Sequence, residues 1–284
     1  MNADMKPAKT IVITGATAGI GLQSARQLAA QGHRLVLVGR SPQKLEAAAA
    51  TVRAAGAAQV DTLVADLASL DSVRELADAL RGRLDRIDVL VNNAGGVNDK
   101  RRLTVDGIES TFAVNHLAGF LLTERVLDLV VAAAPSRIVF TSSQAHFSGT
   151  MDFDDLGFER DYSVIKAYNR SKLANVLYAR SLARQLAGTG VTVNALHPGV
   201  IATDIWDGAP WYARPFLAVG KRLMQAPEDG GRTITFLATD PSVEGCTGGY
   251  YEKNALTEPS ELAQDDAVAE RLREESGRLV GVDA

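Results

Sequence analysis

Cysteine is almost absent: Cys246 stands alone in 284 residues. No disulfide can form within the chain, no multi-cysteine zinc site is available, and the usage fits a reducing compartment. Histidine is scarce too, and His33, His116, His146 and His197 include no pair at the H-E-x-x-H spacing of a helical zinc site, so no metal is assigned. Charge of one sign is not gathered anywhere. Lys and Arg total 30 against 34 Asp and Glu, a formal net charge of -4 without a basic block, so nucleic acid is not an expected partner. No apolar run approaches the ~20 residues of a membrane span. The opening MNADMKPAKT contains no signal-peptide core, and the expectation is a cytoplasmic protein without a membrane span. Linkers, repeats and low-complexity tracts are also missing. With 46% hydrophobic residues the chain can bury a core, and residues 1–284 read as a single domain.

What is present is an alternation. Short β-branched runs at 10–14, 35–39, 60–65, 87–92, 137–141 and 191–196 predict strands, with a seventh at Gly249 to Tyr251. Helical spacing fills the intervals: Ile20 to Ala30, Leu45 to Ala55, Val73 to Leu84, Ile108 to Val131 and Ala167 to Leu186. The strands are nearly continuous apolar runs, so helices must cover both sheet faces. This predicts an α/β, doubly wound parallel sheet of the Rossmann type with about seven strands. Residues 201–225, with Trp206, Trp211, Tyr212, Pro215 and Phe216 close together, break the rhythm and read as a lid over a substrate site, with a membrane- or partner-contacting patch as the alternative.

The first strand runs into TGATAGIG, which places Gly15, Thr17, Gly19, Ile20 and Gly21 between a strand and a helix. Glycines there permit a tight turn and the approach of backbone N–H groups to a pyrophosphate, and the helix N-terminus favours the anion. About twenty residues on, where a carboxylate would receive a ribose 2′-hydroxyl, the chain has Gly39-Arg40-Ser41. Arg40 can grip a 2′-phosphate through paired charge-assisted hydrogen bonds, so NADP is the expected cofactor in preference to NAD. Asp66 and Leu67 can frame the adenine, although Asp66 also fits a helix cap. Asn93, Ala94 and Gly95 end the fourth strand in small residues that let a ring or ribose lie close. Tyr168 and Lys172, four apart on a predicted helix, point into the same space, where an ammonium favours phenolate and lowers the phenol pKa.

In this order, at these strand ends, the motifs resemble the short-chain dehydrogenase/reductase family from Thr10 to about Gly281. The resemblance implies a catalytic tetrad of Asn115, Ser143, Tyr168 and Lys172. Tyrosine would transfer the carbonyl proton, lysine would lower its pKa and hold the nicotinamide ribose, serine would orient the substrate oxygen, and asparagine would position a water in the relay. The His197-Pro198-Gly199 turn with Thr203 resembles the nicotinamide clamp. The long segment between Ser143 and Tyr168, with VNHLAGFLLT, SSQAH and SKLAN, is similar to the retinol dehydrogenase-like branch, which largely prefers NADP and takes apolar aldehydes, ketones and alcohols. It also implies a homodimer or homotetramer built through the helices that carry Asn115 and Tyr168.

The expected activity is hydride transfer between nicotinamide and a carbonyl or alcohol of a small molecule. A nucleotide-sensing regulator of the same fold would have no need of Ser143, Tyr168 and Lys172, and an epimerase would leave the cofactor unchanged overall. His146, three residues after Ser143, reads as a structural loop histidine or as a group touching substrate.

Overall fold

The computed structural model describes residues 7–199 and 227–282. One eight-stranded sheet runs through it in the order β3-β2-β1-β4-β5-β6-β7-β8. The strands are β1 (Thr10–Thr14), β2 (Arg34–Gly39), β3 (Gln59–Val64), β4 (Val89–Asn92), β5 (Ser136–Thr141), β6 (Val191–His197), β7 (Tyr250–Glu252) and β8 (Ala255–Thr257). All neighbours are parallel except β7 and β8, which form an antiparallel hairpin turned by Lys253 and Asn254, both at positive φ. β8 raises the count from the expected seven. Two of its three residues are exposed, so no apolar pattern announced it.

The helices are α1 (Gly19–Ala29), α2 (Pro42–Ala54), α3 (Leu70–Arg81), α4 (Ser110–Phe112), α5 (Ala118–Val131), α6 (Val164–Gln185), α7 (Pro227–Thr239) and α8 (Asp266–Val280). Serines start three of them, because a side-chain oxygen satisfies an N–H left over in the first turn. Ser41, Ser69 and Ser163 accept from Lys44, Ser72 and Lys166 respectively.

Alternate strand residues feed two cores, one on each face of the sheet. Val12, Val36, Leu90, Ile138, Val193 and Tyr250 pack with α3, α5, α6 and α8. Ile11, Ile13, Leu35, Val91, Val139 and Leu196 pack with α1, α2 and α7. Burial on both faces produces the continuous apolar strands of the sequence. One expectation fails. The segment expected as one helix from Ile108 to Val131 is broken into α4, a π-helical turn at Ala113–Leu117, and α5. α4 begins at Glu109, whose buried carboxylate accepts from Thr111 N and Phe112 N at 2.8 Å each. The π turn shifts the apolar register by one residue, and the apolar residues around it are too dense for that shift to show as a break in periodicity.

From β1 the chain winds outward to β2 and β3, then returns to β4 on the other side of β1. The C-terminal ends of β1 and β4 therefore flank a crevice where the winding reverses, the usual place for a ligand in such sheets.

Candidate active site

Thr14, the last residue of β1, stitches that crevice together. Its Oγ1 donates to Val91 O (3.3 Å) and accepts from Asn93 N (3.0 Å) and Ala94 N (3.1 Å). Asn93 returns its side-chain amide to Thr14 O at 3.0 Å, and its Oδ1 accepts from Thr141 Oγ1 at 3.4 Å. The ends of β1, β4 and β5 are thereby held together.

The glycine turn packs against backbone too closely to admit a side chain. Gly15 has φ +68, and a Cβ there would stand 2.8 Å from Ala94 Cα; at Gly21 it would stand 2.2 Å from Gly15 O. Gly19, also at positive φ, opens α1, and Ile20 packs its side chain against the core below. Thr17 closes over the end of β2, where a Cβ on Gly39 would lie 2.6 Å from Thr17 Cγ2. Arg40 follows, exposed and without a hydrogen bond or ion pair to any described residue. Asp66 is exposed and accepts from Ala68 N at 3.0 Å, a local Asx turn, while Ser69 caps α3. Leu67 lines a small cleft with Thr14, Asn92, Ala94, Val114 and Leu122.

The four residues of the expected tetrad converge. Asn115 lies in the π turn; its Nδ2 donates to Gly96 O and Ser171 Oγ, both at 3.0 Å, and its Oδ1 accepts from Gly96 N at 2.8 Å. Ser171 Oγ in turn donates to Tyr168 O at 2.7 Å. Tyr168 and Lys172 sit on successive turns of α6, with Nζ 5.6 Å from the phenol ring centroid. Lys172 Nζ donates to Thr141 O at 3.1 Å, and its own carbonyl accepts from Ser142 Oγ at 2.7 Å, which pins α6 to the end of β5. A Cβ on Gly95 would approach Asn115 Oδ1 to 3.1 Å and Lys172 Nζ to 3.3 Å, so the NNAG loop passes directly over the pair.

Burial governs the electrostatics. It pulls the Lys172 ammonium down to about 8. It also pushes the Tyr168 phenol above its ordinary value, opposed by a hydrogen bond with the Ser143 side chain. The expected lowering of the phenol by Lys172 is thus outweighed in this chain, because both groups are dry and desolvation disfavours each charged form.

The histidines separate from the chemistry. His146 is wholly buried, donates from Nδ1 to Ser143 O at 2.7 Å and accepts at Nε2 from Ser260 N at 3.1 Å. Both ring nitrogens are spent on backbone, so its role is structural. His197 is buried, and its Nδ1 has no hydrogen-bond partner among the described residues. Pro198 and Gly199 follow β6, with Gly199 at φ +99. Thr203 and the expected lid at 201–225 lie outside the described residues.

The sequence reading missed Val114, which follows from a cleft that only the folded chain forms, and Asn175. The latter donates from Nδ2 to Asn115 O (2.9 Å) and Thr141 O (3.2 Å). Its position three residues beyond Lys172, on the same helix face, was the available signal.

A family model described as short chain dehydrogenase matches residues 9–210. The chain belongs to the short-chain dehydrogenase family. Retinol dehydrogenase 13 of Homo sapiens is 42% identical over 285 residues, covering 98% of this chain and 86% of that protein. A protein of Streptomyces sp. (strain C5), provisionally named daunorubicin C-13 ketoreductase DnrU, is 41% identical and covers 97% of this chain and 93% of its own. Among solved structures, a provisionally named NAD(P)-dependent gluconate 5-dehydrogenase from Beutenbergia cavernae, with NADP bound at low occupancy, has a TM-score of 0.72 at 28% identity, covering 88% of this chain and 97% of that one. This short-chain dehydrogenase is accordingly a retinol dehydrogenase-like oxidoreductase acting on CH–OH and C=O groups. No helix among its described residues is long and apolar enough to cross a membrane.

Proposed function

We propose that the protein uses NADP to move hydride between nicotinamide and the carbonyl or alcohol carbon of an apolar small molecule. The observation that carries the reading is the convergence of Asn115 and Lys172 beneath Gly95 with Tyr168, which Lys172 approaches and Ser143 hydrogen-bonds, at the crevice between β1 and β4.

The cradle fits a dinucleotide. Gly15, Thr17, Gly19, Ile20 and Gly21 form a tight turn, closed at Gly15 and Gly21 against the chain's own backbone, that would present its N–H groups and the N-terminus of α1 to a pyrophosphate. Asp66 and Leu67 would border the adenine, Asn93, Ala94 and Gly95 the middle of the cofactor, Tyr168 and Lys172 the nicotinamide ribose, and Pro198 and Gly199 the ring. Arg40, without a partner among the described residues at the end of β2 where no carboxylate follows, supports the phosphorylated cofactor. When bound, the cofactor supplies or accepts the hydride.

In the reducing direction, Tyr168 Oη gives its proton to the substrate oxygen and Ser143 Oγ orients that oxygen. Burial keeps the phenol protonated until a strong acceptor arrives, and the Lys172 ammonium stabilises the phenolate left behind. Oxidation runs the same proton backwards. Ile165, one turn ahead of Tyr168, and Phe147, four residues after Ser143, are large apolar side chains left exposed, which supports an apolar substrate.

Two measurements test the reading. Purified protein with NADPH is screened against aldehydes, ketones and quinones, and Tyr168→Phe is expected to bind cofactor yet lose nearly all turnover; wild-type rates in that variant would sink the assignment. NADPH and NADH are then titrated into wild type and Arg40→Asp. Loss of the charge-assisted contact should weaken NADPH by about ten-fold to a hundred-fold and leave NADH nearly unchanged. An unchanged ratio would return Arg40 to the solvated surface.

A further inference from the structure

His116 directly follows Asn115 in the π turn and is sealed from solvent inside an aromatic box. Ring centroids of Phe112, Phe120 and Tyr178 lie 5.1, 6.2 and 6.1 Å from its own. Nδ1 meets Asn175 Oδ1 at 3.2 Å and Nε2 meets Ser276 Oγ of α8 at 3.0 Å. The direction of every bond can be deduced. The Asn175 amide faces two backbone carbonyls, Asn115 O and Thr141 O, which can only accept, so its nitrogen lies on that side and its oxygen faces the imidazole. Nδ1 therefore carries the proton, and Nε2 accepts from the Ser276 hydroxyl. Burial holds the ring neutral, with a pKa of about 4, consistent with one donor and one acceptor.

The result is a one-way chain: Ser276 to His116, His116 to Asn175, and Asn175 to the carbonyls of Asn115 and Thr141. Thr141 O is also the oxygen that receives Lys172 Nζ at 3.1 Å. The chain thus ends on the carbonyl that locates the ammonium and on the backbone of the tetrad asparagine. It links α8, the π turn, α6 and β5. We propose that His116 and Asn175 are positioning residues for the Tyr168–Lys172 pair, and that α8 reaches the catalytic centre through Ser276. This rests on the proton-transfer role of Tyr168 and Lys172 given above.

The test compares Asn175→Ala, His116→Phe, His116→Asn and Ser276→Ala with wild type. The readouts are kcat and KM with NADPH and the best carbonyl substrate, the pH profile of kcat, and the ultraviolet phenol titration of cofactor-free protein against its Tyr168→Phe counterpart. Asn175→Ala and His116→Phe should lower kcat by about 10- to 100-fold, as small misplacements of catalytic groups do. The fall in kcat should exceed any rise in KM, and the phenol midpoint should move up as the ammonium loses its fixed place. His116→Asn, whose amide can still donate to Asn175, should recover most of the loss, a rescue that a merely space-filling role would not give. Ser276→Ala, the mildest change, keeps the proposal open to refutation if the core variants do not fold, and should lower kcat a few-fold. Folded variants with wild-type kcat and an unmoved phenol midpoint would overturn the positioning role. No effect in Ser276→Ala alone would remove α8 from it. Wild-type turnover in Tyr168→Phe would instead defeat the reading of the proton-transfer pair itself.

Discussion

His116 illustrates how burial writes a pH dependence at a single residue. Its pKa falls from 6.5 to about 4 on folding, so between those values the unfolded chain binds more protons than the folded one. Stability then rises with pH across that window and erodes as the pH falls from 6.5 toward 4. At about 1.4 kcal/mol per unit, the full window amounts to about 3 kcal/mol. His116→Phe removes the titrating group, so urea unfolding from pH 4 to 7 should show a flatter dependence than wild type. Equal slopes would mean that the ring is not protonated on unfolding in this range. Lys172 carries the same sign in another window. Its pKa is lowered to about 8 from 10.5, so its burial opposes folding below pH 8, and that opposition is relieved between about pH 8 and 10.5.

Among the elements, the NNAG loop gives a contrast within one dipeptide. A methyl at Gly95 would crowd Asn115 Oδ1 and Lys172 Nζ, whereas a methyl at Gly96 would meet nothing within 4 Å. Gly95→Ala is therefore expected to cut turnover at least ten-fold through displacement of Lys172, with little change in Tm, while Gly96→Ala stays near wild type. Equal kinetics in the two variants would show that the loop does not set the lysine. The strands and the glycine turn were legible in the sequence because both are local: two-sided burial makes β1, β2 and β4 to β6 continuous apolar runs, and Gly15, Gly19 and Gly21 lie within seven residues. Tyr168 and Lys172 were legible for the same reason. The π turn was not, because the shift made by its extra residue is lost in a densely apolar stretch, and neither was β8, whose residues are mostly exposed. The His116 chain was hidden by distance, since Asn175 and Ser276 are 59 and 160 residues away along the sequence. No local pattern marks such partners.

For the whole molecule, the surroundings of α6 decide how it can associate. Every residue from 167 to 179 is buried, the mark of a helix enclosed on all sides. α8 packs along it, with Ser181 donating to Glu270 at 2.9 Å and Arg184 paired with Asp266 at 2.6 Å. Pairing of two copies through the helices that bear Asn115 and Tyr168 would require α8 to leave that face. Any dimer that sedimentation equilibrium detects is accordingly expected to survive substitution of α6 residues at that face. A dimer that dissociates on substitution of α6 residues at that face would refute this.

α8 also sets an order of events during synthesis. Chains emerge N-terminus first, at roughly 5–20 residues per second, and fold as they come. The sheet is complete in sequence once β8 ends at Thr257, yet Ser276 is made later. A nascent chain thus possesses the glycine turn, the NNAG loop and all four residues of the tetrad before it possesses the hydroxyl that closes the chain from His116. A chain whose last helix has not yet docked would hold its lysine without the Ser276 link, and full turnover is expected only once α8 is in place.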